Sequence, residues 1–297
     1  MKLLDRNPPW LVKRLYNTEN FVQMKSILKH YKLKTVCQEA LCPNISECFS
    51  QGRVTFLILG NRCSRRCGFC FVKQGSSLEF NPEGEIVNIA EMVRMLDLKH
   101  VVLTSVTRDD LPDKGAGHFA RVVREIKRIK PTITVETLIP DFGAEENLIG
   151  GVCRSGVDIL NHNIETVPRL YPLVRPQADY LVSLNVLKLA KEFGSLTKSG
   201  MMLGMGETDS EVLDVFGDLR DVGVDILTVG QYLKPGRDNL EIEEFIVPEK
   251  FEFYKKVAYN IGFKHVSAAP FVRSSYAADE ILEQIKSQGI FSNRQPL

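Results

Sequence analysis

Six of the chain's seven cysteines fall between Cys37 and Cys70 as two triplets, and Cys153 stands apart. The second triplet, Cys63-Ser-Arg-Arg-Cys67-Gly-Phe-Cys70, has Cys-x3-Cys-x2-Cys spacing. Thiolates this close in a loop can hold three irons of a cubane iron–sulfur cluster, which leaves the fourth iron open. An amino and a carboxylate group of a small molecule can chelate that iron, so the spacing points to a cluster that acts on a bound ligand. The first triplet, Cys37-Gln-Glu-Ala-Leu-Cys42-Pro-Asn-Ile-Ser-Glu-Cys48, has Cys-x4-Cys-x5-Cys spacing and also leaves one iron without a thiolate. A structural zinc site takes four Cys or His ligands, usually in two close pairs, and three plus three fits it poorly. An odd cysteine total without a signal segment argues for intracellular metal chemistry over a secreted disulfide framework. Cys153, on an apolar helix face with Leu148 and Ile149, reads as a buried cysteine.

Such chemistry needs a scaffold that brings distant residues together. The 297 residues are 44% hydrophobic and 25% charged, enough apolar material for a buried core. Lysine and arginine total 38 against 37 acids, so nothing in the charge calls for a nucleic-acid partner. The longest apolar run, around Phe56-Leu57-Ile58-Leu59, is far short of the ~18 residues of a bilayer span, and no membrane association is expected. Met1 to Trp10 carries no apolar core with a small-residue cleavage site. A cytoplasmic protein is expected, or an organellar matrix form whose presequence has been removed. A monomer is the expected state, since no extended apolar surface stripe stands out.

From Val54 onward, short β-branched runs alternate with longer amphipathic stretches, the pattern of strand–helix units. Six units are expected, with strands at 54–59, 101–105, 133–138, 157–161, 196–203 and 225–230 and helices at 88–98, 118–129, 145–154, 178–193 and 210–222. Capping-box spacing supports two helix starts, Asn88 with Glu91 and Thr208 with Glu211. Parallel strands joined by helices can close into a barrel or stay an open sheet, and either gathers chemistry at the strands' C-terminal ends. A helix at 19–31 precedes the first strand, and beyond the sixth come a helix at 249–261, a strand at 265–267 and a helix at 277–286. The expected divisions are an extension at 1–52 carrying the first triplet, a central unit at 53–247 and a C-terminal extension at 248–297.

The second triplet, placed after the first strand and with Phe69 before its last cysteine, resembles the motif of the radical S-adenosylmethionine superfamily. The added upstream triplet resembles the lipoyl synthase family within it. The likeness continues through Cys42-Pro43-Asn44-Ile45, Arg65 to Cys70, Thr104-Ser105-Val106 with Arg108 to Asp113, and Asn161-His162-Asn163-Ile164-Glu165-Thr166. It resumes at Gly204-Met205-Gly206-Glu207-Thr208, Gly230-Gln231-Tyr232-Leu233 and Arg273-Ser274-Ser275-Tyr276. Asn61 and Lys114 depart from residues common in the family but touch no expected ligand.

This resemblance implies an α/β fold, a partial (β/α)6 TIM-like barrel with both extensions attached. It implies two [4Fe-4S] clusters and S-adenosylmethionine as cofactors. Cys63, Cys67 and Cys70 would hold the radical-generating cluster, and Cys37, Cys42, Cys48 and Ser274 an auxiliary cluster that donates sulfur. A serine oxygen is a harder and less well matched ligand than a thiolate, which suits a cluster that must open. Read without the family, Arg273 to Tyr276 would be a surface turn or helix cap. The implied reaction inserts two sulfur atoms at C6 and C8 of a protein-bound octanoyl-lysine chain, with two S-adenosylmethionine molecules consumed per product. Expected partners are octanoylated lipoyl carrier domains of 2-oxoacid dehydrogenases and the glycine cleavage H protein, a flavodoxin or ferredoxin, and an iron–sulfur cluster carrier.

Candidate cofactor contacts are Phe69, Glu136 near the end of strand three, Asn163 and Glu165 past strand four, and Arg175, which could pair with the cofactor carboxylate. The polar members could equally serve as structural hydrogen-bond partners. Gly204 to Thr208 is expected at the cofactor pocket, although a tight β–α turn needs no ligand. His162 is read as structural. The basic face of the 118–130 helix, with Arg121, Arg124, Lys127, Arg128 and Lys130, reads as solvated, or else as a dock for an acidic carrier. Two alternatives stand beside the main reading. A biotin synthase-like enzyme draws its auxiliary ligands from within the barrel, against which the upstream triplet counts. A two-cluster electron carrier would supply four protein ligands per cluster, against which both incomplete triplets count.

Overall fold

The computed structural model describes residues 8–75, 80–276 and 278–287. Three helices come first: α1 (Glu19–His30), α2 (Val36–Glu39) and α3 (Ile45–Ser50). Seven strands follow: β1 (Thr55–Ile58), β2 (His100–Ser105), β3 (Thr134–Leu138), β4 (Ile159–Asn161), β5 (Leu196–Leu203), β6 (Ile226–Gln231) and β7 (His265–Ala268). They lie in one sheet in chain order, every neighbouring pair parallel. The connections carry α4 (Pro82–Met95), α5 (Ala116–Ile129), α6 (Glu146–Cys153), the short α7 (Tyr171–Val174), α8 (Tyr180–Glu192), α9 (Asp209–Asp221) and α10 (Pro248–Ile261). Helix α11 (Ala278–Ser287) ends the described chain. The expected partial barrel is therefore present, extended by β7 to seven strands.

Period-two alternation sorts the strand residues. One parity, with Val101, Leu103, Val135 and Leu160, packs beneath the apolar faces of α4 to α6 through Ile89, Val93, Phe119, Val123 and Ile149. Leu203, Leu227 and Val229 do the same against Val212, Phe216, Phe251 and Tyr254. The other parity faces the barrel interior and is layered. At the strands' N-terminal ends, Ile281 of α11 packs with Ile159, Ile226 and Leu196 and forms an apolar floor. Above it Lys198 Nζ lies 3.1 Å from both Glu136 oxygens, and Asn161 Nδ2 donates to Glu136 at 2.9 Å.

The sheet does not close on itself, since β1 and β7 are its two edges. The N-terminal extension spans that opening. Leu57 N donates to Lys34 O at 2.9 Å, and Thr35 forms an antiparallel bridge with Phe56. On the β7 side, Asn44 Nδ2 donates to Phe271 O at 2.8 Å and Tyr276 Oη to Glu47 at 3.1 Å. Arg53 pairs with Asp279 at 2.9 Å and Glu280 at 2.6 Å.

Several expectations shift. Helix α4 starts at Pro82, where Asn81 caps it by accepting from Gly84 N at 3.1 Å. Asn88 is therefore inside the helix, with its side chain donating to Tyr31 O at 2.9 Å, and its capping box does not form. The Thr208 and Glu211 box does form. On the basic helix, Arg121 pairs with Glu83, Arg128 with Glu125, Lys127 with Asp158 and Lys130 with Asp97. That face is largely neutralised, because acids on neighbouring elements and Glu125 of the same helix reach it, which favours the solvated reading over a dock. No helix of the described residues is long and apolar enough to cross a membrane.

The Lys198–Glu136 pair is nearly inaccessible, with side-chain exposures of 1% and 0%. Breaking a buried pair from one side strands a charge and costs about 3–5 kcal/mol, whereas replacing both partners with apolar groups is often neutral. Lys198→Met is expected to lower the denaturant midpoint clearly, and adding Glu136→Leu to restore most of the loss. Equal midpoints for the single and double variants would show that the pair does not act as a unit.

Candidate active site between the two cysteine triplets

The chain leaves β1 through Leu59 and Gly60, both at positive φ, into the loop that carries Cys63, Cys67 and Cys70. Cys63 N donates to Lys73 O at 2.8 Å, and Gly75 N returns a bond to Cys63 O at 2.9 Å. Gly68 N donates to Val174 O at 2.9 Å, while Asn239 Nδ2 donates to Gly68 O at 3.1 Å and Cys70 O at 3.0 Å. A Cβ on Gly68 would stand 2.7 Å from Leu240, so only glycine permits this close seating. Arg65 anchors the loop to Asp109 at 2.8 Å and to Asp141. Burial opposes ionisation of Asp141, but Arg65 outweighs it and holds that carboxyl at about 2. Thr107 N also donates to Cys63 Sγ at 3.3 Å.

The upstream triplet is carried by two short helices. Cys37 lies on α2, whose cap Thr35 accepts from Gln38 N at 3.2 Å, and Cys48 lies on α3. Cys42 sits between them, its N–H donating to Cys37 O at 3.0 Å and its carbonyl accepting from Ile45 N at 3.2 Å.

Burial, reinforced by the charge of Cys42, pushes the Cys37 thiol up to about 12 and Cys48 to about 11. Burial likewise raises Cys70 to about 12 and Cys67 to about 11, with each feeling Cys63 as a further repulsion. The members of each triplet are thus close enough to repel as thiolates in a poorly solvated place. A bound metal centre removes that repulsion and displaces the protons. Among the described residues no three Cys, His, Asp or Glu side chains converge on a single-ion site. A cubane offers a separate iron to each thiolate, and three thiolates per set leave one position open.

A cavity of about 450 Å³ joins the triplets. Its lining includes Cys37 and Cys42 of the first triplet, Cys70 of the second with Phe69, and Asn163, Glu165 and Ser274. Apolar lining comes from Val36, Leu41, Leu138, Met202 and Leu233. Ser274 Oγ donates to Asn163 Oδ1 at 2.8 Å, and Asn163 Nδ2 donates to Glu165 Oε1 at 3.1 Å. Glu165 has φ +68°, uncommon for a non-glycine residue, and is held there because its N–H donates to Gly200 O and its carbonyl accepts from Met202 N, both at 2.9 Å. Burial raises its carboxyl above the ordinary range, against the pull of Arg175.

Not every expected cofactor contact lines this cavity. Glu136 lies deeper in the barrel, committed to Lys198 and Asn161, so its carboxylate is already satisfied. Arg175 lies behind the Asn163 turn, where Nη1 donates to Asn163 O at 3.0 Å and Tyr171 Oη at 3.1 Å. From there its charge reaches both Cys67 and Glu165. The Gly204 to Thr208 segment is a turn closed on itself, since Glu207 accepts from Gly204 N and from Met205 N at 3.0 Å. A Cβ on Gly204 would come within 2.3 Å of Gln231 and Glu244 O, so the glycine serves packing. His162 is structural in geometry, fully buried with Nδ1 2.9 Å from Ile139 O. Cys153 is buried. Asn239 and Thr107, which support the second triplet, carried no sequence signal beyond being polar. Arg273 is legible only through the Arg-Ser-Ser-Tyr motif, and it lines the cavity between Cys42 and Glu165.

Residues 57–219 match the Radical SAM superfamily. The chain is 50% identical to the lipoyl synthase of Caldanaerobacter subterraneus, covering 92% of this chain and 96% of that protein. It is 52% identical to the lipoyl synthase of Caldicellulosiruptor saccharolyticus, covering 93% and 97%. Among solved structures it is similar in fold to methylornithine synthase, with TM-score 0.54, 15% identity, and 81% of this chain and 83% of that chain covered. Likeness at that identity bears on the fold, whereas identity near one half along almost the whole chain carries the family. The chain belongs to the lipoyl synthase family of radical S-adenosylmethionine enzymes.

Proposed function

We propose that the protein inserts sulfur at C6 and C8 of an octanoyl chain borne on a carrier-protein lysine, in the cavity between the two triplets. The observation that carries this reading is that one cavity is lined by Cys37 and Cys42 of the first triplet and by Cys70 of the second, with Phe69. When bound, the cofactors supply hydrogen abstraction from unactivated carbon at the second triplet and sulfur donation at the first. The chain's own residues then have separate tasks. Cys63, Cys67 and Cys70 hold the radical-generating centre, and Cys37, Cys42, Cys48 and Ser274 hold the donor centre. Phe69, Asn163 and Glu165 face the cofactor, while Arg175 acts from behind the Asn163 turn.

Val36, Leu41, Leu138, Met202 and Leu233 give an aliphatic chain an apolar bed. The cavity's volume is within the roughly 300–1,000 Å³ range of ligand pockets. Octanoylated domains of 2-oxoacid dehydrogenases and the glycine cleavage H protein are the proposed carriers. A flavodoxin or ferredoxin is the proposed reductant, and an iron–sulfur carrier the source of replacement clusters. The proposed setting is cytoplasmic, or an organellar matrix, with the protein acting as a monomer.

The direct test supplies reconstituted protein with dithionite, S-adenosylmethionine and an octanoylated carrier peptide and follows peptide mass. Two sulfurs are expected; cofactor cleavage with intact clusters and no added sulfur would overturn the reading. Cys42→Ala is expected to halve bound iron and acid-labile sulfide, to abolish sulfur insertion, and to leave cleavage to 5′-deoxyadenosine in place. Cys67→Ala is expected to lose that cleavage. Ser274→Ala is expected to lose sulfur insertion, and full transfer by that variant would exclude Ser274 as a ligand.

A further inference from the structure

Two cavities meet at the first triplet. The one that joins the triplets is lined by Cys37 and Cys42, and a second of about 340 Å³ is lined by all three of Cys37, Cys42 and Cys48. Among the described residues, Arg273 is the one charged side chain that lines both. It follows β7 and is partly buried, with its guanidinium against the bare backbone of Gly230, where a Cβ would stand 3.0 Å from Nη1. Nη1 donates to Val272 O at 2.6 Å. Arginine carries five N–H donors in a rigid fork, and among the described residues no carboxylate bonds any of them here. Its charge is felt most at Cys42 and next at Glu165. Arg175, whose charge reaches the second triplet at Cys67, differs in that its Nη1 is spent on Asn163 O and the Tyr171 hydroxyl.

A guanidinium taken out of water without a counter-charge is costly, and so is an anion in the same place. Together they offset one another when the hydrogen bonds between them are made. Three thiolates outweigh the positive charge of an oxidised cubane core, so the donor centre is an anion of the kind this cation lacks. We propose that Arg273 is the counter-ion of the donor centre, pairing its charge and unspent N–H groups with that centre's sulfur and so raising its reduction potential. This rests on the reading of Cys37, Cys42 and Cys48 as donor-centre ligands given above. Net charge and hydrogen bonds to cluster sulfur both set such potentials. Glu165 does not compete for the guanidinium, because it already accepts from Asn163 and lies in the field of Arg175. A weakly hydrated, forked cation suits such a place better than an ammonium.

The test is made on protein carrying both clusters, as wild type, Arg273→Lys and Arg273→Gln. Midpoint potentials are read by redox titration followed by electron paramagnetic resonance, with the Cys67→Ala protein identifying the donor signal. S-adenosylmethionine dissociation constants are measured by equilibrium dialysis. Arg273→Gln keeps a donor without the charge, and is expected to lower the donor potential, to leave the other cluster's potential in place and to slow sulfur insertion roughly 10–100-fold. Arg273→Lys is expected to return most of the potential. Loss of the donor cluster from Arg273→Gln with its retention in Arg273→Lys would support the pairing equally. An unshifted potential in Arg273→Gln, equal shifts in both variants, or loss of the donor cluster from both would overturn it. Weakened S-adenosylmethionine binding beside an unshifted potential would assign the guanidinium to the cofactor instead. A wild-type protein with one cluster signal would remove the reading of the first triplet, and the counter-ion with it.

Discussion

Everything around the site follows from a sheet that stops before it closes. Seven parallel strands leave β1 and β7 as edges, and an exposed edge is a row of unpaired backbone donors and acceptors. Here the opening is spanned by α2, α3 and the segment after β7, held by Asn44 to Phe271, Tyr276 to Glu47 and Arg53 to Asp279. Those are the segments that carry the upstream cysteines and Ser274. What covers the edge is therefore also what builds one half of the site, and the first triplet meets the second across the barrel mouth because the barrel is incomplete.

The interior is graded to match. Its floor is apolar, with Ile159, Leu196, Ile226 and Ile281, and the next layer is the Glu136–Lys198 ion pair. Higher still the strands present Gly200 and Gly230, whose lack of side chains lets other groups approach. A Cβ on Gly230 would lie 2.1 Å from Val272 O, as one on Gly200 would collide with Ser274 and Asn163. Small residues at the strands' C-terminal ends thus admit the C-terminal segment to the site, while the deeper polar layer is closed by pairing.

Local patterns were readable where their cause is local. The alternation that predicts strands, the Thr208 cap and the triplet spacings all act within a few residues, and they appear much as expected. The Asn88 cap failed because a competing cap, Asn81 followed by Pro82, begins the helix about two turns earlier. Glu136 resembled a cofactor contact because a carboxylate near a strand's end often is one. Its partner Lys198 lies two strands away, and no spacing in the chain announces that pairing. Gly204 to Thr208 looked open to a ligand because glycines permit approach, but Glu207 fills the turn from within.

From the sequence alone came the thiolate sets, their asymmetry and, by resemblance, the family, since ligand type and short spacing are written in consecutive residues. Only the tertiary structure decided that Cys37, Cys42, Cys70 and Ser274 share a cavity, and that Asn163 joins Ser274 to Glu165. Those contacts span up to the whole length of the sheet, and they exist because seven strands curl and an extension closes the remaining gap. Spacing along a chain specifies what a loop can bind; which loops face one another is set by strand register and by what packs over an open edge.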